Sequence, residues 1–198
     1  MNAQNYQKID RLPIGLQGKI GRSIMDEAKM QRLLSGIVEI EEKLDGKTVG
    51  TSFLPEHVIY GEYLKYRHSV KYDQLPAWII GFDVLDLNTG RLLEREEKTR
   101  LFRNIGLPCV PLLFKGRIKS QQELTAFLER KSAFSTTEKI EGIVIKNYDA
   151  QLFGKIVSYE FITGIEKHWT KQQIILNQLR QKLVVPSLAM STELRTQA

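Results

Sequence analysis

Lys43 stands in the run Glu41-Glu42-Lys43-Leu44-Asp45-Gly46, a lysine followed two positions on by a carboxylate and then directly by a glycine. A lysine amine attacks a phosphorus centre only when neutral. Its ordinary pKa is about 10.4, so a nucleophilic lysine needs cations beside it or a desolvating pocket. Bound Mg²⁺ would supply such a push. Along an extended chain Asp45 alternates with Lys43, so both can face one cleft, and Gly46 would let the backbone come close to a nucleotide. Taken alone, the same residues also describe a solvated surface turn.

The elements that must position this lysine are legible around it. Residues 37–42, IVEIEE, are β-branched and partly alternating, which predicts a strand that delivers Lys43 at its end. TVGTSF reads as a second strand, ended by Pro55, and HVIYGEYL as a third; residues 77–86, AWIIGFDVLD, form another before the turn signal NTG at 88–90. Residues 94–105 place Leu101, Phe102 and Ile105 among charges, with Gly106 and Pro108 beyond, the pattern of a helix with a glycine stop. CVPLLF is a further short strand. Ser120 and Glu123 form a capping-box pattern that opens a helix burying Leu124, Phe127 and Leu128. KIEGIVIK and GKIVSYEF supply two more strands. From Phe161 the spacing of Ile162, Ile165, Trp169, Ile174, Ile175, Leu176 and Leu179 predicts an amphipathic helix, and the tail after Pro186 reads as frayed. Strands outnumber helices without regular β-α alternation, so the expected class is α+β with largely antiparallel sheets.

With 198 residues, 42% hydrophobic and 26% charged, the chain has material for one sizeable core. No apolar run approaches the roughly 20 residues that span a bilayer, and the N-terminus has no signal-peptide stretch, so no membrane association and a cytoplasmic location are expected. The single cysteine, Cys109, lies in an apolar run and reads as a small buried hydrophobe; it excludes an internal disulfide. A net charge of +6 suits a polyanionic partner, because phosphates neutralised by Lys and Arg release counterions.

Order and company sharpen the lysine motif. Residues 59–86, IYGEYLKYRHSVKYDQLPAWIIGFDVLD, combine a GE pair with a His-Ser, a Tyr, a Leu-Pro and an aromatic-Asp strand. EGIVIK at 141–146 and GKIVSYEFITGIEKHW at 154–169 follow in order. Together with the lysine motif these segments resemble the RNA-ligase family domain of the covalent nucleotidyltransferase superfamily of ligases and capping enzymes, across most of residues 6–170.

The resemblance implies an ATP-grasp-like nucleotidyltransferase fold of antiparallel sheets with flanking helices, in a minimal version. It would comprise an adenylation domain over 1–170 and a C-terminal helix and frayed tail over 171–198. It further implies an ATP-dependent RNA ligase-type adenylyltransferase with ATP and Mg²⁺ (or Mn²⁺) and a nucleic-acid partner, RNA favoured over DNA. Lys43 would attack the α-phosphorus of ATP to form lysyl-AMP, and Lys155 would contact the α-phosphate. Glu62 would accept hydrogen bonds from the ribose, unless it is a strand-face carboxylate paired with Lys65 or Arg67. Phe82 would stack on adenine, unless it is core. Glu141 would hold the metal, with Asp83 and Asp45 as carboxylates for water-bridged metal. Lys146 would be a second phosphate-facing cation, and the backbone around Glu42, Leu44 and Gly46 would line the nucleotide. His57, His68, Tyr72, Trp78 and His168 are read as packing or loop-shaping residues.

The sequence also departs from the family. Between Gly46 and Glu62 there is no arginine where relatives carry one that grips phosphates; Lys47, Arg67 or Arg22 are the candidate substitutes. Val157 stands where some relatives have a second lysine after Lys155. The residues beyond 170 are too few for an OB-fold or a helical C-terminal domain. Two rival readings follow: a nucleotidyltransferase using GTP or another acceptor, and a ligase-derived nucleic-acid-binding module that has lost catalysis.

Overall fold

The computed structural model describes residues 6–14, 23–161 and 174–181, apart from the Phe53 side chain. The elements in chain order are β1 (Asp10–Arg11), α1 (Glu27–Leu34), β2 (Val38–Lys43), β3 (Lys47–Leu54), β4 (His57–Tyr63), β5 (Ile79–Asp86), α2 (Arg95–Asn104), β6 (Leu112–Gly116), α3 (Gln121–Ala126), β7 (Gly142–Asn147) and β8 (Leu152–Val157). They build a five-stranded sheet in the order β1-β8-β7-β2-β6 and a three-stranded sheet in the order β3-β4-β5. The ladders are antiparallel except β1 with β8, which is parallel, so the expectation of antiparallel sheets holds for all but this edge.

The larger sheet has two chemically distinct faces because side chains alternate along each strand. In β2, Val38 and Ile40 turn to one side; with Ile143 and Ile145 of β7 and Ile156 of β8 they form a core with Met30 and Leu33 of α1 and Leu124 of α3. Each such side chain removed from water contributes about 1.5–3 kcal/mol. The opposite face carries Glu41 and Lys43. Register places Glu41 beside Val144 and Val144 beside Lys155, so β2 and β8 present ionisable groups to the same side. A second core under the loop that follows β4 joins Leu44, Leu64, Tyr72, Leu75 and Ile80.

The helix expected over 94–105 is α2, and its chain reverses at Gly106 with φ +69°. Ser120 caps α3, its Oγ accepting the N–H of Glu123 at 3.2 Å, whereas the Glu123 carboxylate takes the N–H of Lys119 rather than that of Ser120. The strand expected in CVPLLF begins only at Leu112, after Pro111.

The C-terminal helix is corrected where it can be followed. Residues 159–161 are helical and 162–173, with His168 and Trp169, lie outside the described residues, but 174–181 are extended. Leu176 bridges Tyr66, and Leu179 bridges Leu75. The buried Asn177 holds this segment in place: its Nδ2 donates to the Leu64 carbonyl at 2.8 Å and its Oδ1 accepts the Tyr72 N–H at 3.0 Å. Backbone groups of the 64–75 loop need these partners, and that requirement outweighs the helical spacing of the aliphatic residues. Ile174 and Leu176 consequently stay 79% and 51% exposed.

Candidate active site

Lys43 ends β2 at the rim of a cleft of about 630 Å³ lined from both sheets. Its Nζ donates to Oε2 of Glu141 at 2.5 Å and lies 3.4 Å from the Leu44 carbonyl. Burial alone would push Lys43 down, but the charge and hydrogen bond of Glu141, with Glu62 and Asp45 behind it, hold it above the ordinary lysine value. Burial pushes Glu141 up, and Lys43 and Lys155 pull it back. Glu141 precedes β7 at a position fixed by Gly142, where an added Cβ would meet the Ile156 carbonyl at 2.2 Å.

Glu62 of β4 reaches the same cleft. Its Oε1 accepts the Gly46 N–H at 3.1 Å and its Oε2 the Thr48 hydroxyl at 3.2 Å. Burial is the main influence on this carboxyl and raises it to about 7, although Lys43 and Thr48 work the other way. Gly46 lines the cleft as expected, and a Cβ there would meet the Tyr63 carbonyl at 2.5 Å, so glycine also lets the start of β3 close onto β4.

Phe82 lines the cleft because β5 is irregular. Tyr60 pairs with Asp83 and Gly61 with Gly81, leaving Phe82 as the extra residue of a bulge. The bulge re-aims its side chain. The Phe82 ring is met edge-on by Tyr6 at 5.0 Å and runs nearly parallel to Tyr60 at 6.5 Å.

Two expected cleft carboxylates are engaged elsewhere. Asp45 turns away from Lys43 to accept the backbone N–H groups of Ser69 at 2.5 Å and Val70 at 2.9 Å, so it anchors the loop after β4. Asp83 is fully buried. Its Oδ1 takes Lys146 at 2.7 Å and Lys98 at 3.3 Å, and its Oδ2 takes the Tyr6 hydroxyl. A metal at Asp83 would have to displace two ammonium groups, so this expectation is corrected. Burial disfavours its charge, yet the two lysines hold the carboxyl below its ordinary value.

Lys146 likewise points into the protein, 1% exposed, with Glu41 at 2.6 Å and Asp83 at 2.7 Å, although its stem borders the cleft. Its ammonium pairs with these two carboxylates at the floor of the cleft. Lys98 completes this floor from α2, bonding Glu41 at 2.7 Å and the Phe82 carbonyl at 2.7 Å, and Arg95 reaches Glu41 at 2.7 Å. Glu42 lines the cleft, but its carboxylate is taken by the Ser132 hydroxyl and the Ala133 N–H.

Lys155 and Leu44 line the cleft as expected. Sequence reasoning overlooked Tyr6, Lys8, Glu41, Thr48 and Tyr60 in its lining and Lys98 and Arg95, which pair with Glu41. Glu41 carried a usable signal, since the strand period puts it on the face of Lys43; Lys98, in an ordinary charged helix, carried none. Among the described residues no three His, Cys, Asp or Glu side chains converge on a metal position. Glu141, an oxygen donor beside Lys43, is the residue whose chemistry fits a hard cation.

A strand-end lysine held by a carboxylate thus stands in a cleft between two sheets that also presents Glu62 and Lys155. Solved structures share the fold. The Naegleria gruberi RNA ligase with PPi matches with a TM-score of 0.61 and 18% identity, over 83% of this chain and 58% of that one. A lysine-to-alanine mutant of it with ATP and Mn gives 0.60 and 17%, with coverage of 83% and 58%. An archaeal ATP-dependent RNA ligase gives 0.58 and 21%, over 80% of this chain and 49% of that one. The chain thus spans 58% of the Naegleria ligase's length. No curated protein matches. The chain belongs to the RNA ligase family, whose sequence profile matches residues 40–158, more than half its length.

Proposed function

We propose that this chain is an ATP-dependent RNA ligase-type adenylyltransferase, with Lys43 as its nucleophile. The observation that carries the reading is the placement of Lys43 at a rigid strand end, inside the cleft and within 2.5 Å of Glu141. Lys43 Nζ attacks the α-phosphorus of ATP; the N–P bond forms as the bond to pyrophosphate breaks, giving lysyl-AMP. The nearest acceptor for the departing lysine proton is Glu141. A polynucleotide 5′-phosphate then displaces Lys43 to take the AMP, and a 3′-hydroxyl displaces AMP to join the strands.

Lys155 stabilises charge developing on the α-phosphate, Glu62 accepts from the ribose hydroxyls, and Phe82 and Tyr60 offer aromatic surface to the base. Glu141 would hold Mg²⁺ or Mn²⁺, which would supply charge to neutralise the phosphates. The Naegleria structure with ATP and Mn supports this assignment of nucleotide and ion.

Intact mass after incubation with ATP and Mg²⁺ tests the reading. One acid-labile AMP adduct is expected, absent in Lys43→Ala. Adduct formation from GTP and not ATP would favour the capping-type alternative, and no adduct under any metal or pH would favour a binding module.

A further inference from the structure

Between Glu62 and Asp73 the chain reads YLKYRHSVKY, with Lys65, Arg67, His68 and Lys71 and no acidic residue. This loop lies beside a second groove, lined by Lys47, Val49, Tyr63, Tyr66 and His68. Tyr66 is 43% exposed although aromatic surface is costly to leave in water. Tyr63 meets its ring at 6.0 Å in a T-shaped contact, and the Lys65 ammonium sits 5.9 Å from its centroid. The ring thus stands partly exposed with an aromatic edge and an ammonium beside it.

The loop beside the groove is anchored to the chain segment that follows Lys43. Asp45, two residues after Lys43, accepts the N–H groups of Ser69 and Val70 and lies 3.9 Å from His68. Opposite the cleft side, Asn177 and the Ile175 carbonyl pin the same loop through Leu64, Tyr72 and Arg67. The loop is thus held through Asp45 by the β2–β3 connection and through Asn177 and Ile175 by the segment at 174–181.

The geometry points to this groove as the seat of an unpaired polynucleotide end, with a terminal base stacked on Tyr66 and its phosphates on Lys47, Lys65 and His68. The inference rests on the ligase reading for the reason a strand end is needed there. A stacking face accepts any base but only one free of a duplex, so the site selects single-stranded ends by structure rather than by sequence. Charge complementarity favours nucleic acid over a protein partner, since an acid-free run of four basic groups suits phosphates.

The experiment pairs two readouts on the intact chain. Affinity is measured for a single-stranded 5′-phosphorylated RNA carrying 2-aminopurine near that end, and self-adenylylation by intact mass with ATP and Mg²⁺. Wild type should bind and quench the 2-aminopurine. Tyr66→Ala should bind about tenfold more weakly without quenching, as loss of one base–aromatic stack implies. Tyr66→Trp should bind within about threefold of wild type, a tenfold loss being about 1.4 kcal/mol. Adenylylation should be equal in all three. Equal binding and quenching in wild type and Tyr66→Ala would overturn the platform, as would Tyr66-dependent capture of an acidic peptide with no RNA binding. Tyr66-dependent RNA binding without any AMP adduct would leave the platform standing and remove the ligase reading instead.

Discussion

Nζ of Lys43 and Oε2 of Glu141 lie 2.5 Å apart, joining the end of β2 to the residue before β7 across 98 positions of sequence. The pair keeps the amine charged in the free protein, while attack requires it neutral. On the proposed reaction, a group that displaces Glu141 from this contact would therefore also set the reactivity of Lys43.

Replacing Glu141 with Gln should lower the Lys43 pKa below the ordinary lysine range, because burial then acts with its main opposing charge removed. Titration of the ¹³C-dimethylated lysine by NMR measures it. The same substitution should reduce adenylylation by at least 100-fold; an unmoved Lys43 titration would show that the contact does not control the amine.

Glu62 predicts a pH-dependent stability of a specific sign. Its folded carboxyl sits at about 7 against an ordinary 4.5, so the folded state holds the extra proton between these values. Stability contributed by this group is present below 4.5 and lost as pH rises to 7, by roughly 3 kcal/mol at about 1.36 kcal/mol per pH unit. Urea denaturation of Glu62→Gln should show a smaller decline from pH 5 to pH 8 than wild type. Parallel curves would contradict the elevated carboxyl.

Lys98 offers a test of the buried floor. Lys98→Met leaves Glu41 and Asp83 short of a cation at sites 1% and 0% exposed. Removing one partner from a buried ion network costs about 3–5 kcal/mol. Chemical denaturation reads the loss directly; a cost under about 1 kcal/mol would mean that Lys146 and Arg95 satisfy both carboxylates alone.

Asp45→Ala should free the loop after β4. Two backbone donors lose their acceptor, at a cost of about 1–3 kcal/mol. Hydrogen exchange at the Ser69 and Val70 amides should accelerate while the amides of β2 and β7 stay protected. Uniform acceleration would mean that the substitution weakens the whole domain instead.

Read by itself, the sequence determined the order of the chemical groups and the strands that carry them. Lys43 at a strand end and the strands that carry Glu62 and Lys155 were legible because the strand period is a local property, whereas the grouping of Glu62, Glu141 and Lys155 with Lys43 came from the order of motifs that resembles the RNA-ligase family. The tertiary structure decided what those groups face. The bulge at Phe82 releases two consecutive residues, Phe82 and Asp83, from strict alternation, and a bulge follows from strand pairing rather than from composition. Lys98 finds Glu41 across 57 positions, Asp45 reaches a loop 24 residues on, and residues 174–181 abandon their helical spacing to satisfy the loop at 64–75. Each of these is a demand of burial: a charge or backbone group removed from water must find a partner wherever packing supplies one, and no window of sequence records where that is.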